Sequence, residues 1–111
     1  MLAALALFAL SILFLVTASF KSSEPYATAL QAASENPSVQ EQVGIPLEGK
    51  FFPSGSIELK NANGKANLEI PVSGPKGTAT IYVVGTKAAG KWSYSTLLVE
   101  IDATNEQIDL K

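Results

Sequence analysis

The stretch Ile70-Pro71-Val72-Ser73-Gly74-Pro75-Lys76-Gly77-Thr78 decides the architecture, because two extended apolar segments meet in it at one Gly-Pro-Lys-Gly turn. Pro75 presets the backbone of a turn, and Gly74 and Gly77 let the chain reverse tightly around it. Before the turn, Ala66, Leu68, Ile70 and Val72 share one face, with Lys65, Asn67 and Glu69 on the other. That alternation is the mark of a half-buried antiparallel strand over residues 65–72. After the turn, residues 78–86 set Ala79, Ile81 and Val83 against Thr80, Tyr82 and Val84. Both faces are partly apolar, which predicts the middle strand of the sheet, and Gly85 is suited to a bulge.

On the N-terminal side, residues 56–60 alternate with Ile57 and Leu59 inward, and Asn61-Ala62-Asn63-Gly64 predicts a hairpin turn. Residues 47–52 form a weak strand flanked by Pro46 and Pro53, suited to an edge. Ahead of it the period changes to that of a helix. Ser22-Ser23-Glu24-Pro25 combines a hydroxyl cap, an acid and an early proline, and Tyr26, Leu30 and Ala33 recur on one face. Asn36-Pro37 breaks this helix, since proline removes a donor and drives its predecessor extended. A second short helix over residues 38–43 presents Val39 and Val43 and stops at Gly44.

On the C-terminal side, Ala88-Ala89-Gly90-Lys91 predicts a turn into residues 92–101. Trp92 and Tyr94 share one parity there, while Leu97, Val99 and Ile101 share the other. A one-residue slip near Ser95-Thr96 reconciles the two halves and predicts a bulge. Residues 107–110 form a last short edge strand.

The 111 residues include an apolar run at positions 2–20 that carries no charge and lifts the mean hydropathy to +0.22. About 20 helical residues match a bilayer core of roughly 30 Å, so residues 1–21 read as a membrane-spanning anchor. A cleaved signal peptide, with Val16-Thr17-Ala18 as the cleavage site, is the competing reading. Lys21 after the span favours a cytoplasmic C-terminus by the positive-inside rule, whereas signal-like segments lead the following domain across the membrane. The fold class expected is α+β: an N-terminal transmembrane helix, then a domain over residues 22–111. In that domain a helical segment (24–43), broken at Asn36-Pro37, packs on an antiparallel meander of five or six strands (45–111).

Composition narrows the chemistry. Eight lysines and ten acids give a net charge of −2 with no arginine, which argues against nucleic acid as a partner. With no cysteine, no histidine and Met1 as the sole methionine, thiolate and imidazole catalysis and soft-metal carriage have no ligands to use. No cofactor and no metal are expected. The turn itself does not form a phosphate loop, because Gly77 separates Lys76 from Thr78 and a strand follows where a helix would be needed. Glu58, Glu69 and Glu100 fall on different strands, and a hydrolase built on them would need one carboxylate with a raised pKa. Trp92 and Tyr94 read as core or sheet-cover residues before they read as a binding face.

In order, the segments Ser23-Glu24-Pro25-Tyr26, Asn36-Pro37, Gly44-Ile45-Pro46, Gly55-Ser56-Ile57, Gly64 with Ala66, the IPVSGPKG run at 70–77 and Trp92 resemble the cytochrome oxidase complex assembly protein 1 family in its short bacterial form. The resemblance covers nearly the whole chain. It implies a single-pass protein of the bacterial inner membrane with its domain in the periplasm. It also implies a non-enzymatic scaffold that assists assembly of the terminal oxidase by binding oxidase subunits or other assembly factors. The family residues it points to are Pro25, Tyr26, Pro37, Gly44, Pro46, Gly55, Gly64, Pro71, Gly74, Pro75, Lys76, Gly77 and Trp92, mainly in structural roles. The alternative is a secreted or periplasmic small-ligand or partner-binding module released after signal cleavage.

Overall fold

The computed structural model describes residues 23–49 and 53–111, so the expected anchor and Lys50 to Phe52 lie outside the described residues. Among the described residues no helix is long and apolar enough to cross a membrane. Among the described residues two helices come first, α1 (Glu24–Glu35) and α2 (Pro37–Gln42). Six strands follow: β1 (Glu48–Gly49), β2 (Ser54–Lys60), β3 (Asn63–Gly74), β4 (Gly77–Ala88), β5 (Lys91–Ile101) and β6 (Gln107–Asp109). They form one antiparallel meander with β4 at its centre, as the two-faced apolar pattern of that strand predicts.

Local chemistry explains the helix boundaries. The Ser23 hydroxyl accepts from the Tyr26 N–H at 3.4 Å, Glu24 lies in the positive first turn, and Pro25 needs no partner for an N–H it lacks. Asn36 serves both helices. Its backbone N–H donates to Ala33 O, closing α1, while its side-chain oxygen accepts from Ser38 and Val39 at 2.9 and 3.2 Å, opening α2. Ala29 and Ala33, one turn apart and fully buried, bring the α1 backbone close to the sheet.

The core lies between these helices and one sheet face. Leu68, Ile70 and Val72 from β3, Ala79, Ile81 and Val83 from β4, and Leu97, Val99 and Ile101 from β5 are buried beneath Tyr26, Val39 and Val43. Each fully buried aliphatic side chain of this kind stabilises the fold by about 1.5–3 kcal/mol. The parity conflict in β5 resolves as the sequence requires. The pairing runs Val84 to Thr96 and then Gly85 to Tyr94, which leaves Ser95 as the extra residue of a bulge.

Two sequence expectations change. Leu59, expected inward, is on the helix side of the sheet but is 64% exposed, because the helical layer ends before that end of β2. The predicted strand at 47–52 contributes only Glu48 and Gly49 to the described sheet, paired with Ser73 and Val72. The next described pair is Ser54 with Glu69, so the sequence has four residues between these pairs where β3 has only Ile70 and Pro71. The two-residue loop makes Gly74 and Gly77 a hydrogen-bonded pair, and alternation then turns the Pro71 nitrogen away from β4, where it would have no N–H to offer.

Candidate interaction surface

The tip of the β3–β4 hairpin does not stand free; it closes against the end of α2. The Lys76 N–H donates to Val43 O at 2.8 Å, and its ammonium reaches Glu41 O at 3.3 Å. Both acceptors belong to the carbonyls a helix leaves unpaired at its C-terminus, where positive charge is also favoured. Gly44 continues the chain at φ +85°, a left-handed conformation that suits glycine. A Cβ on Gly74 would collide with Val43 O and stand 2.8 Å from Gly44 O. The glycines of Gly44-Ile45-Pro46 and of the IPVSGPKG run are therefore two halves of one close backbone contact.

The other singled-out residues separate into different places. Pro25 and Tyr26 are buried, and the Tyr26 hydroxyl occupies the space where Gly49 lacks a side chain. Pro37 opens α2 on the exposed side, and Pro46 follows a cis peptide bond beside exposed Ile45. Gly55 lies against the Asn67 carbonyl at φ +117°, where a Cβ has no room. Gly64 and Trp92 are at the opposite end of the sheet from the Gly74–Gly77 turn, each paired with Lys87. Trp92 stacks on Tyr94 with ring centroids 6.3 Å apart and planes within 4°. The Tyr94 hydroxyl is buried and lacks a hydrogen-bond partner among the described residues; Thr28 lies alongside, short of a well-aligned bond. Burial raises its pKa, with Glu24 adding to the effect and Thr28 opposing it.

The second surface is the sheet face turned away from the helices, on which no described element packs. One cross-strand row runs Glu69, Tyr82, Leu98, Asp109; the next runs Pro71, Thr80, Glu100, Gln107. Tyr82, Val84 and Leu98 are half-buried there, an apolar centre within threonines and carboxylates. The Tyr82 hydroxyl donates to Glu100 at 3.2 Å. Partial burial, followed by that bond and the charges of Glu100, Glu69 and Asp102, raises the Tyr82 pKa. Nearby, Thr78 donates to Asp102 at 2.6 Å.

Among the described residues no three acids are grouped to hold a metal. Glu58 and Glu69 are solvent-exposed, and Glu100 is engaged by a tyrosine. Sequence reasoning had singled out the hairpin tip and left Tyr82, Val84 and Leu98 unassigned. Tyr82 and Val84 had a signal in the second apolar parity of residues 78–86, and Leu98 joins them only through the pairing of β4 with β5. This open face is a broad, mildly acidic surface with an aromatic centre.

Neither the search of curated proteins nor that of solved structures returned a match. A protein-family model described as cytochrome oxidase complex assembly protein 1 matches residues 1–111, the whole chain. The match spans the full length, and the chain therefore belongs to the cytochrome oxidase complex assembly protein 1 family.

Proposed function

We propose that this protein is a membrane-tethered, non-enzymatic assembly factor for the terminal respiratory oxidase that works by binding other proteins. The family match over the full length carries the reading, since the family is described by its part in assembling cytochrome oxidase. The charge-free apolar run at positions 2–20 supports a tether, with the folded domain held at the bilayer of a bacterial inner membrane on its periplasmic side. The open sheet face around Tyr82 and Leu98 is the contact surface for an oxidase subunit or a companion assembly factor. Its half-buried apolar centre provides the desolvated anchor, and its polar rim provides register. The Gly74–Gly77 turn belongs to the fold and not to the contact.

The test is affinity purification of the tagged full chain from detergent-solubilised membranes, with co-purifying proteins identified by mass. Oxidase subunits or known companions of oxidase assembly are expected. Recovery of none, together with a normal oxidase spectrum in a deletion strain, would overturn the reading.

A further inference from the structure

Four of the eight lysines gather at one end of the sheet. Lys60 and Lys65 flank the β2–β3 turn, and Lys87 and Lys91 flank the β4–β5 turn. The two tips are joined: the Gly90 N–H donates to Ala62 O at 2.9 Å and the Ala89 N–H to the Asn63 side chain at 3.4 Å. The tips thus form one ledge, with Glu58 as the only acid in residues 58–65 and 86–92. Apolar groups sit among the cations. Leu59 is 64% exposed, and half-buried Trp92 is stacked on Tyr94. An open groove of about 460 Å³ runs between the tips, walled by Leu59, Lys60, Lys65 and Lys87.

This combination has a natural ligand. Lysine ammoniums attract anionic headgroups, while tryptophan and an exposed leucine favour the boundary between headgroups and acyl chains. The chain's path points the same way. Its described part begins at Ser23, and Glu24 is within electrostatic reach of Tyr94, so the described chain starts on the side of the aromatic stack. The opposite end carries Glu41, Asp102 and Glu106, and its Lys76 is engaged by α2.

We propose that the paired β2–β3 and β4–β5 tips are a docking surface for an anionic phospholipid bilayer, with Lys60, Lys65, Lys87 and Lys91 on the headgroups and Leu59 and Trp92 at the interface. The proposal rests on the membrane-tethered reading. Docking fixes the domain's pose: the hairpin tips meet the lipid, and the open sheet face stands across the membrane surface where a membrane-embedded partner could reach it. Each lysine near an anionic surface strengthens partitioning about fivefold.

Trp92 is the only tryptophan, so its fluorescence reports on this site alone. The full chain is reconstituted into vesicles with bromine-labelled acyl chains, made of phosphatidylcholine alone or mixed with phosphatidylglycerol. Strong quenching of Trp92 is expected in the anionic vesicles. It should weaken in phosphatidylcholine, in salt on the order of 0.5 M, and in a Lys60→Glu, Lys87→Glu, Lys91→Glu variant. The salt dependence of the unaltered chain keeps the test valid if that variant folds poorly. Trp92 quenched equally in all vesicles, or unquenched in chains that float with the vesicles, would overturn the docking surface and leave the tether standing. A chain that does not float with either vesicle would overturn both.

Discussion

Gly74→Ala probes the junction on which the hairpin and helices depend. The new Cβ would overlap Val43 O and lie 2.8 Å from Gly44 O, so these two carbonyls would have to retreat. Val43 O cannot do so freely, because it accepts the Lys76 N–H at 2.8 Å. Overpacking of this kind costs about 1–3 kcal/mol, and a broken backbone hydrogen bond adds about 0.5–1.5 kcal/mol. Against this, replacing a glycine that has extended backbone stabilises by about 0.4–1 kcal/mol through the unfolded chain. The net loss is about 0.5–4 kcal/mol, which in a domain of this size lowers Tm by roughly 2–30 °C. Gly77→Ala is the control three residues away. Its nearest neighbour across the junction is Gln42 O at 3.5 Å, an ordinary contact, so the variant should be unchanged or a few degrees more stable. Thermal unfolding followed by circular dichroism measures both. A Gly74→Ala protein as stable as the parent, or an equal loss in Gly77→Ala, would refute the close-contact argument.

Asn36→Ala removes the acceptor of two N–H groups at the start of α2, at a cost of about 1 kcal/mol. The same melting assay should show Tm lower by roughly 4–8 °C. Deleting Ser95 removes the bulge residue and puts Trp92, Tyr94, Leu97, Val99 and Ile101 on one continuous parity, so each can keep its present face in a regular β5. The deletion should keep a cooperative transition, and its loss would count against the register. All three tyrosines, Tyr26, Tyr82 and Tyr94, have pKa values raised in the folded state, Tyr26 by burial. The folded protein then holds protons that the unfolded chain has released, so their stabilisation is complete below the unfolded value of about 10 and is lost as pH rises through the folded values. Absorbance titration should find native tyrosine midpoints above the unfolded ones, and Tyr82→Phe should flatten the alkaline decline in stability.

The meander and the position of β4 were legible because alternation survives in a single sequence. The β5 bulge was legible for the same reason, as Trp92 and Tyr94 could not share a face with Leu97 and Val99 without an extra residue. The helix break was legible in the chemistry of Asn36 and Pro37. What sequence could not supply was any contact between distant segments. Gly74 looked like a turn glycine, but it keeps an extended backbone and makes room for Val43 and Gly44, more than 29 residues upstream. Leu59 obeyed its strand parity yet stayed exposed, because burial depends on how far the helical layer reaches. Tyr82 and Leu98 share a row only through the pairing of β4 with β5, so the open face had no compact motif.

Quantitative co-purification from solubilised membranes, comparing the tagged full chain with a Leu98→Asp variant, tests the central claim most directly. The unaltered chain should recover terminal-oxidase subunits or companion assembly factors, and the variant should lose them while keeping its Tm within a few degrees. Equal recovery by both proteins would move the contact off the open sheet face. Absence of such proteins from both, with oxidase spectra unchanged in cells lacking the protein, would contradict the assembly role itself.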